Sequence, residues 1–266
     1  MKSPFQDEEE RPTLRRCITL YLDILGFKST IYASSDRTEA VTALRYLRAA
    51  LDKAYECLRG SIEEGATYER WYVKAFTDNL VIVLPVSNDE LIDAGRLSAH
   101  VGRFQLSLAC NGFFTRGGMA IGDAYIDDKV VFGGAVVEAY LAEARQAREA
   151  RVVLAPSMRD LFDLHATFYI NADSVPWHLR RDVDGEVFLD YLHYTEVSEN
   201  GEVPIGLESH RDQIAKGLRD HVSRPTVQQK YFWLAKYHNA FCRQEFRQEP
   251  FLLVDLSPAL IGPGGT

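Results

Sequence analysis

The chain has 266 residues, 46% hydrophobic and 26% charged, which is the composition of a folded protein with material for one large or two small cores. A formal net charge of −8 argues against an extended nucleic-acid or anionic-membrane surface, because such surfaces are built on excess Lys and Arg. Cys17, Cys57, Cys110 and Cys242 lie far apart, with no C-x-x-C pair and no His at a zinc-ligand offset, which argues against a disulfide framework or structural zinc site.

The opening MKSPFQDEEERPTLRR is acidic, then basic, with no apolar h-region, and no later run approaches the length of a membrane span. The expectation is a soluble, cytoplasmic protein with a flexible tail over residues 1–12. From Thr13 to Leu25 the pattern is strand-like until Gly26 breaks it. Asp36 and Glu39 form a D-x-x-E cap, and Val41, Leu44, Leu47, Leu51, Ala54 and Leu58 follow at helical spacing. YERWYVKAFTDNLVIVLP predicts two strands joined by a tight turn at Thr77, Asp78 and Asn79. Ser87 and Glu90 then predict the start of a second helix running through Leu97, Val101, Phe104 and Leu108.

FFTRGGMAIGDAYI returns as a strand, with Asp127 and Asp128 at a solvated hairpin tip. AVVEAYLAEARQA reads as a third helix, with Glu138 and Glu143 expected at its surface or at an interface, and ARVVLAP as a further strand. Strand, helix, strand, strand, helix, strand is the α+β, split βαβ or ferredoxin-like arrangement. Later, GEVFLDYLHY reads as a strand and Val227 to Phe246 as an aromatic-rich helix whose aromatics serve packing. Without a Pro-, Gly- or Ser-rich linker, the domain expectation is a catalytic core over 13–205 and a helical extension over 206–266 packed on the same domain.

Asp23 stands inside the first apolar run, LYLDILGFKST, where a charge is costly to desolvate unless it is paired or bound to a metal. The split βαβ order sets the first strand beside the central hairpin, so Asp23 can approach Asp78. Two converging carboxylates suit Mg²⁺ or Mn²⁺, which take carboxylate, carbonyl and phosphate oxygens and, in pairs, clamp the attacking and leaving oxygens of phosphoryl transfer. The turn Leu25-Gly26-Phe27-Lys28 would expose backbone N–H groups to a triphosphate.

These residues resemble the class III nucleotidyl cyclases: Asp23, Ile24, Gly26 and Phe27 match a D-I-x-G-F motif, and Asp78 in KAFTDNLVI matches the second metal aspartate. The segments TRGGMAIGDAYIDDKVVFGGAVVEAYLAEA, ARVVL and QQKYFWLAKYHN are most similar to the bacterial Pycsar pyrimidine cyclases, over Leu20 to about Asn239. The resemblance implies conversion of UTP or CTP to a 3′,5′-cyclic monophosphate and pyrophosphate, as messenger for a separate effector in antiphage defence. It further implies two Mn²⁺ or Mg²⁺ ions held by Asp23, the Ile24 carbonyl and Asp78, and a homodimer with composite sites. Substrate would be met by Phe27, Lys28 and Lys74, the last at the base-reading position four residues before Asp78.

The positions that usually hold Asn and Arg as transition-state stabilisers are Val137 and Leu141 here, so Arg145 or Arg116 would have to supply the cation. Arg116 could instead pair with a neighbouring carboxylate, and Lys74 could be an edge-strand lysine in solvent. UTP against CTP stays open, as does a catalytically silent nucleotide-binding relative. An RNA-recognition module would place a basic, aromatic face where Asp23 and Asp78 stand, and the G-G-D/E-E-F signature of diguanylate cyclases is absent.

Overall fold

The computed structural model describes residues 3–26, 36–59, 71–87, 89–169, 178–195 and 205–256. Phe27 and Lys28 lie outside the described residues. The strands are β1 (Arg15–Ile24), β2 (Tyr72–Phe76), β3 (Asn79–Pro85), β4 (Thr115–Ile126), β5 (Val131–Phe132), β6 (Val152–Leu154), β7 (Leu179–Arg181) and β8 (Val187–Leu189). The helices are α1 (Arg37–Arg59), α2 (Glu90–Cys110), α3 (Gly134–Arg145), α4 (Pro156–Tyr169), α5 (Ile205–Asp220) and α6 (Pro225–Glu245).

The sheet runs β2-β3-β1-β4-β6-β8-β7, with β5 paired to β4. β1 is antiparallel to both β3 and β4, and β2 to β3, which is the split βαβ order of a mixed α+β fold. Directly paired residues share a face, and alternate residues along a strand point the same way. One face of β1, β3 and β4 is accordingly apolar: Ile18, Leu20, Leu22 and Ile24 of β1 lie with Leu80, Ile82 and Leu84 of β3 and Met119 and Ile121 of β4, all buried. The other face carries Thr19, Tyr21 and Asp23.

Two compact units divide the chain. The first, Met1–Leu25, Glu56–Val101 and Thr115–Asp190, holds the sheet, α3 and α4. Within the segment expected as a tail, Phe5 is buried, with its ring edge-on to Tyr72 at 5.0 Å and to Tyr125 at 5.8 Å. Arg151 has a side chain with no exposure; its guanidinium pairs with Asp182 and Asp184 beside the β7–β8 turn and lies over Phe188.

The second unit, Gly26–Tyr55, Gly102–Phe114 and Tyr191–Thr266, is held by a buried polar chain. The His238 Nε2–H donates to the Leu252 carbonyl at 2.9 Å, which leaves Nδ1 to accept from His210 Nδ1 at 2.9 Å. His210 Nε2 therefore accepts the Tyr191 hydroxyl proton, at 2.7 Å. Both imidazoles are neutral: burial lowers His210 well below its ordinary value and His238 to about 4.

Two local expectations are corrected. The cap of α2 is Asp89, whose Oδ1 accepts the backbone N–H groups of Leu91 and Ile92, while Glu90 leaves the expected box to pair with Arg16 on β1. GEVFLDYLHY forms only the three-residue β8 and then a 3-10 turn, Tyr191–Tyr194, because Tyr191 is drawn to His210. The Asp36 cap holds as expected, with Oδ1 accepting from Thr38 and Glu39.

Candidate functional site at the ends of the central strands

Asp23 is opposite Asn79 of β3 and opposite Arg116 of β4, so the row Phe76, Asn79, Asp23, Arg116 crosses four strands on one face. The next row inward is Lys74, Val81, Tyr21, Gly118. The Ile24 N–H donates to the Asp78 carbonyl at 2.9 Å, which ties the end of β1 to the β2–β3 turn. Topology therefore brings Asp23, Ile24 and Asp78 to one sheet end.

That turn is strained. Thr77 has φ 56°, a left-handed conformation that is uncommon for a β-branched residue and costs about 1–3 kcal/mol. Its hydroxyl lies 2.6 Å from the Phe76 carbonyl and 2.9 Å from Asp78 Oδ1, which also accepts from Asn79 Nδ2 at 3.2 Å. Asn79 Oδ1 in turn accepts the Tyr21 hydroxyl at 3.0 Å. Asp78 is thereby buried, 4% exposed, with its carboxylate oriented.

Arg116 answers the question that Asp23 raises. Its Nε–H donates to Asp23 Oδ2 at 2.9 Å, and its NH2 group lies 2.9 Å from Oε1 of Glu143 on α3. Glu143 was expected at a surface or interface, yet it is only 5% exposed. It sits one turn beyond the buried Ala139 and next to the buried Ala142, so extending the stripe of Ala135, Ala139 and Ala142 by one position would have found it. Gly118 allows the approach: a Cβ there would stand 2.2 Å from the Ala139 carbonyl oxygen and 2.8 Å from the Glu143 backbone nitrogen.

Negative charge collects around Tyr21. Burial first, then the charges of Glu143, Tyr140, Asp23 and Asp78, raise its phenol above the ordinary value. Three carboxylates against one guanidinium leave the site formally anionic. Two strand-end carboxylates and a main-chain carbonyl are the hard oxygen donors that Mg²⁺ and Mn²⁺ take, and Arg116 already stands on Asp23 as a cation. Among the described residues, no group of three or more His, Cys, Asp or Glu side chains is arranged to hold an ion, so phosphate and water oxygens would complete any coordination.

The remaining expected residues lie elsewhere. Lys74 is half-buried on β2, in the row next to Asp23 and two strands away, roughly 12 Å at ordinary strand spacings. Arg145 is exposed in the last turn of α3 and forms no ion pair with another described residue. Val137 and Leu141 line an open cavity of about 840 Å³ with Leu14, Ile121 and Phe132. Asp127 forms the expected turn, its Oδ1 accepting from the backbones of Lys129 and Val130.

No family model and no curated protein matches the chain. Two solved structures are similar in outline. The guanylyl cyclase Cya2 shares 15% identity over 66% of this chain and 91% of its own, with a TM-score of 0.43. A class III adenylyl cyclase-like ATP-binding protein from Pseudomonas aeruginosa shares 13% identity over 78% of this chain, with a TM-score of 0.46, and this chain spans 44% of its length. Neither likeness assigns an activity. Among the described residues no helix is long and apolar enough to cross a membrane.

Proposed function

We propose that the chain is a class III nucleotidyl cyclase acting on a pyrimidine nucleoside triphosphate, with UTP ahead of CTP. The observation that carries this reading is the meeting of Asp23 and Asp78 at one end of the β3-β1 pair, within a split βαβ sheet and beside Arg116. In the reaction the ribose 3′-oxygen attacks the α-phosphorus, an O3′–P bond forms, the bond to the β-phosphate oxygen breaks, and pyrophosphate leaves. The 3′-hydroxyl proton passes to solvent.

Asp23, Asp78 and the Ile24 carbonyl would hold Mg²⁺ or Mn²⁺, which when bound neutralises triphosphate charge and polarises the reacting oxygens. The chain's own part is orientation. Thr77 and Asn79 fix the Asp78 carboxylate, Tyr21 fixes Asn79, and the Gly118 contact sets α3 against the sheet. The formally anionic site would repel a bare triphosphate, which supports a substrate that arrives with divalent cations. Lys74, one row inward opposite Val81, would meet the base.

The cyclic product would act as messenger to a separate effector in antiphage defence, and the working form would be a homodimer with composite sites. The exposed apolar residues Phe132, Val137 and Tyr140 at and along α3 support a partner there. The test is incubation with each labelled nucleoside triphosphate and Mn²⁺, following pyrophosphate and cyclic product. Asp23→Asn and Asp78→Asn should each lower turnover by at least about a hundredfold with the fold intact. Nucleotide binding by equilibrium dialysis with no cyclic product from any base would favour a catalytically silent binder, the reading supported by the apolar Val137 and Leu141.

A further inference from the structure

We infer that Arg116 is a cation-released latch on Asp23 and that Glu143 is the positioning residue that makes the release possible. This rests on the cation reading of Asp23 given above. One guanidinium spans two carboxylates of unequal availability: Asp23, 16% exposed at its side chain and at the sheet end, and Glu143, 6% exposed and fixed to α3. Nε meets Asp23, and NH2 meets Glu143.

A divalent ion that takes Asp23 Oδ2 displaces the Arg116 Nε–H from that oxygen. If Arg116 had no second partner, that displacement would strand a half-buried guanidinium, 28% exposed, without a counter-charge. Glu143 removes this penalty by staying ion-paired with the other end of the guanidinium through the exchange. It also keeps the guanidinium within the site, where the freed Nε–H can turn to an anion that enters with the ion. The absence of a side chain at Gly118 lets α3 sit close on β4, which sets Glu143 within reach of Arg116.

The test reads Arg116 itself. In the full chain labelled with ¹⁵N-arginine, the Arg116 Nε–H resonance, assigned from its loss in Arg116→Gln, is followed as Mg²⁺ is added. The wild type should show a paired, slowly exchanging Nε–H that shifts saturably with Mg²⁺ and exchanges faster at the end point. Asp23→Asn should place it at the released position from the start, without Mg²⁺ dependence. By calorimetry, Arg116→Gln should bind Mg²⁺ at least about fivefold more tightly and Glu143→Gln at least about threefold more weakly, with thermal unfolding used to confirm that each variant is folded. Mg²⁺ uptake that needs Asp23 but leaves the Arg116 resonance unmoved overturns the latch alone, since a bare electrostatic effect of Glu143 would not move Arg116. No Mg²⁺ uptake with or without nucleotide overturns the cation reading and the latch with it.

Discussion

Replacing Gly118 with Ala probes the contact on which the site's geometry depends. Gly118 has no positive φ, so the substitution introduces no backbone strain and acts through contact alone. The new Cβ would lie 2.2 Å from the Ala139 carbonyl oxygen, 2.7 Å from the Ala142 Cβ and 2.8 Å from the Glu143 nitrogen. Ordinary contact begins near 3.4 Å, so α3 has to retreat by roughly 1.2 Å, because helix backbone cannot rotate aside as a side-chain tip can. Overpacking of this kind costs about 1–3 kcal/mol. At roughly 2–4 °C per kcal/mol for a domain of this size, the melting temperature should fall by about 2–12 °C. The same retreat stretches the 2.9 Å Arg116–Glu143 ion pair by roughly the same amount, so the Arg116 resonance should broaden and turnover should fall by about tenfold or more. Calorimetric melting together with the cyclase assay reads both effects. A variant that melts with the wild type and keeps full activity would refute the close packing of α3 on β4.

Other perturbations test separate parts of the chain. His210 and His238 are held below the unfolded value near 6.5, so neutral burial contributes stability above that pH and is lost as the pH falls toward about 4; for His238 this amounts to about 3 kcal/mol, read as a falling denaturant midpoint between pH 6.5 and 4, and a flat profile would count against the neutral pair. Arg151→Met should cost about 3 kcal/mol in chemical unfolding, chiefly through the Asp182 pair because Asp184 is 39% exposed, and a neutral effect would mean that the pair is dispensable. Lys74→Glu turns a donor into an acceptor; if Lys74 faces C4 of the base, the UTP-to-CTP ratio of specificity constants should move toward CTP by at least about tenfold, and an unchanged ratio with measurable turnover would remove Lys74 from the base pocket.

The split βαβ order was legible because each element carries its own period, and because the Asp36 cap and the Thr77-Asp78-Asn79 turn are local chemistry. Long-range pairing was not. Ser87 and Asp89 are both competent caps, and the choice fell to Asp89 once Glu90 was drawn to Arg16, 74 positions away in the chain. Glu143 looked like a surface residue for the same reason, since its partner is on a strand 27 positions earlier. Asp23 stood out because a charge in an apolar run demands a partner, and Asp78 because the strand order sets the hairpin turn beside it. The side chain paired with Asp23, however, is Arg116, which the sequence could only leave open between pairing and catalysis.

The polar face of β1 explains why the chemistry gathers where it does. Along that face, after the exposed Arg15 at its start, the residues are Cys17, Thr19, Tyr21 and Asp23, a graded rise in polarity toward the strand's end. At the Cys17 end the face is closed by a cluster of Phe5, Val81, Val83, Ala124, Ile126 and Ala135, where burial pushes the Cys17 thiol up to about 12. At the Asp23 end the closing residues are Arg116, which donates to Asp23, and Glu143, which pairs with Arg116 by charge, in place of apolar surface. Placing Asp23 two residues earlier would bury its carboxylate opposite Gly118, whose position offers no side chain to pair with it. The carboxylate is affordable only in the register position opposite Arg116, so the same alternation that builds the core confines the charged site to one end of it.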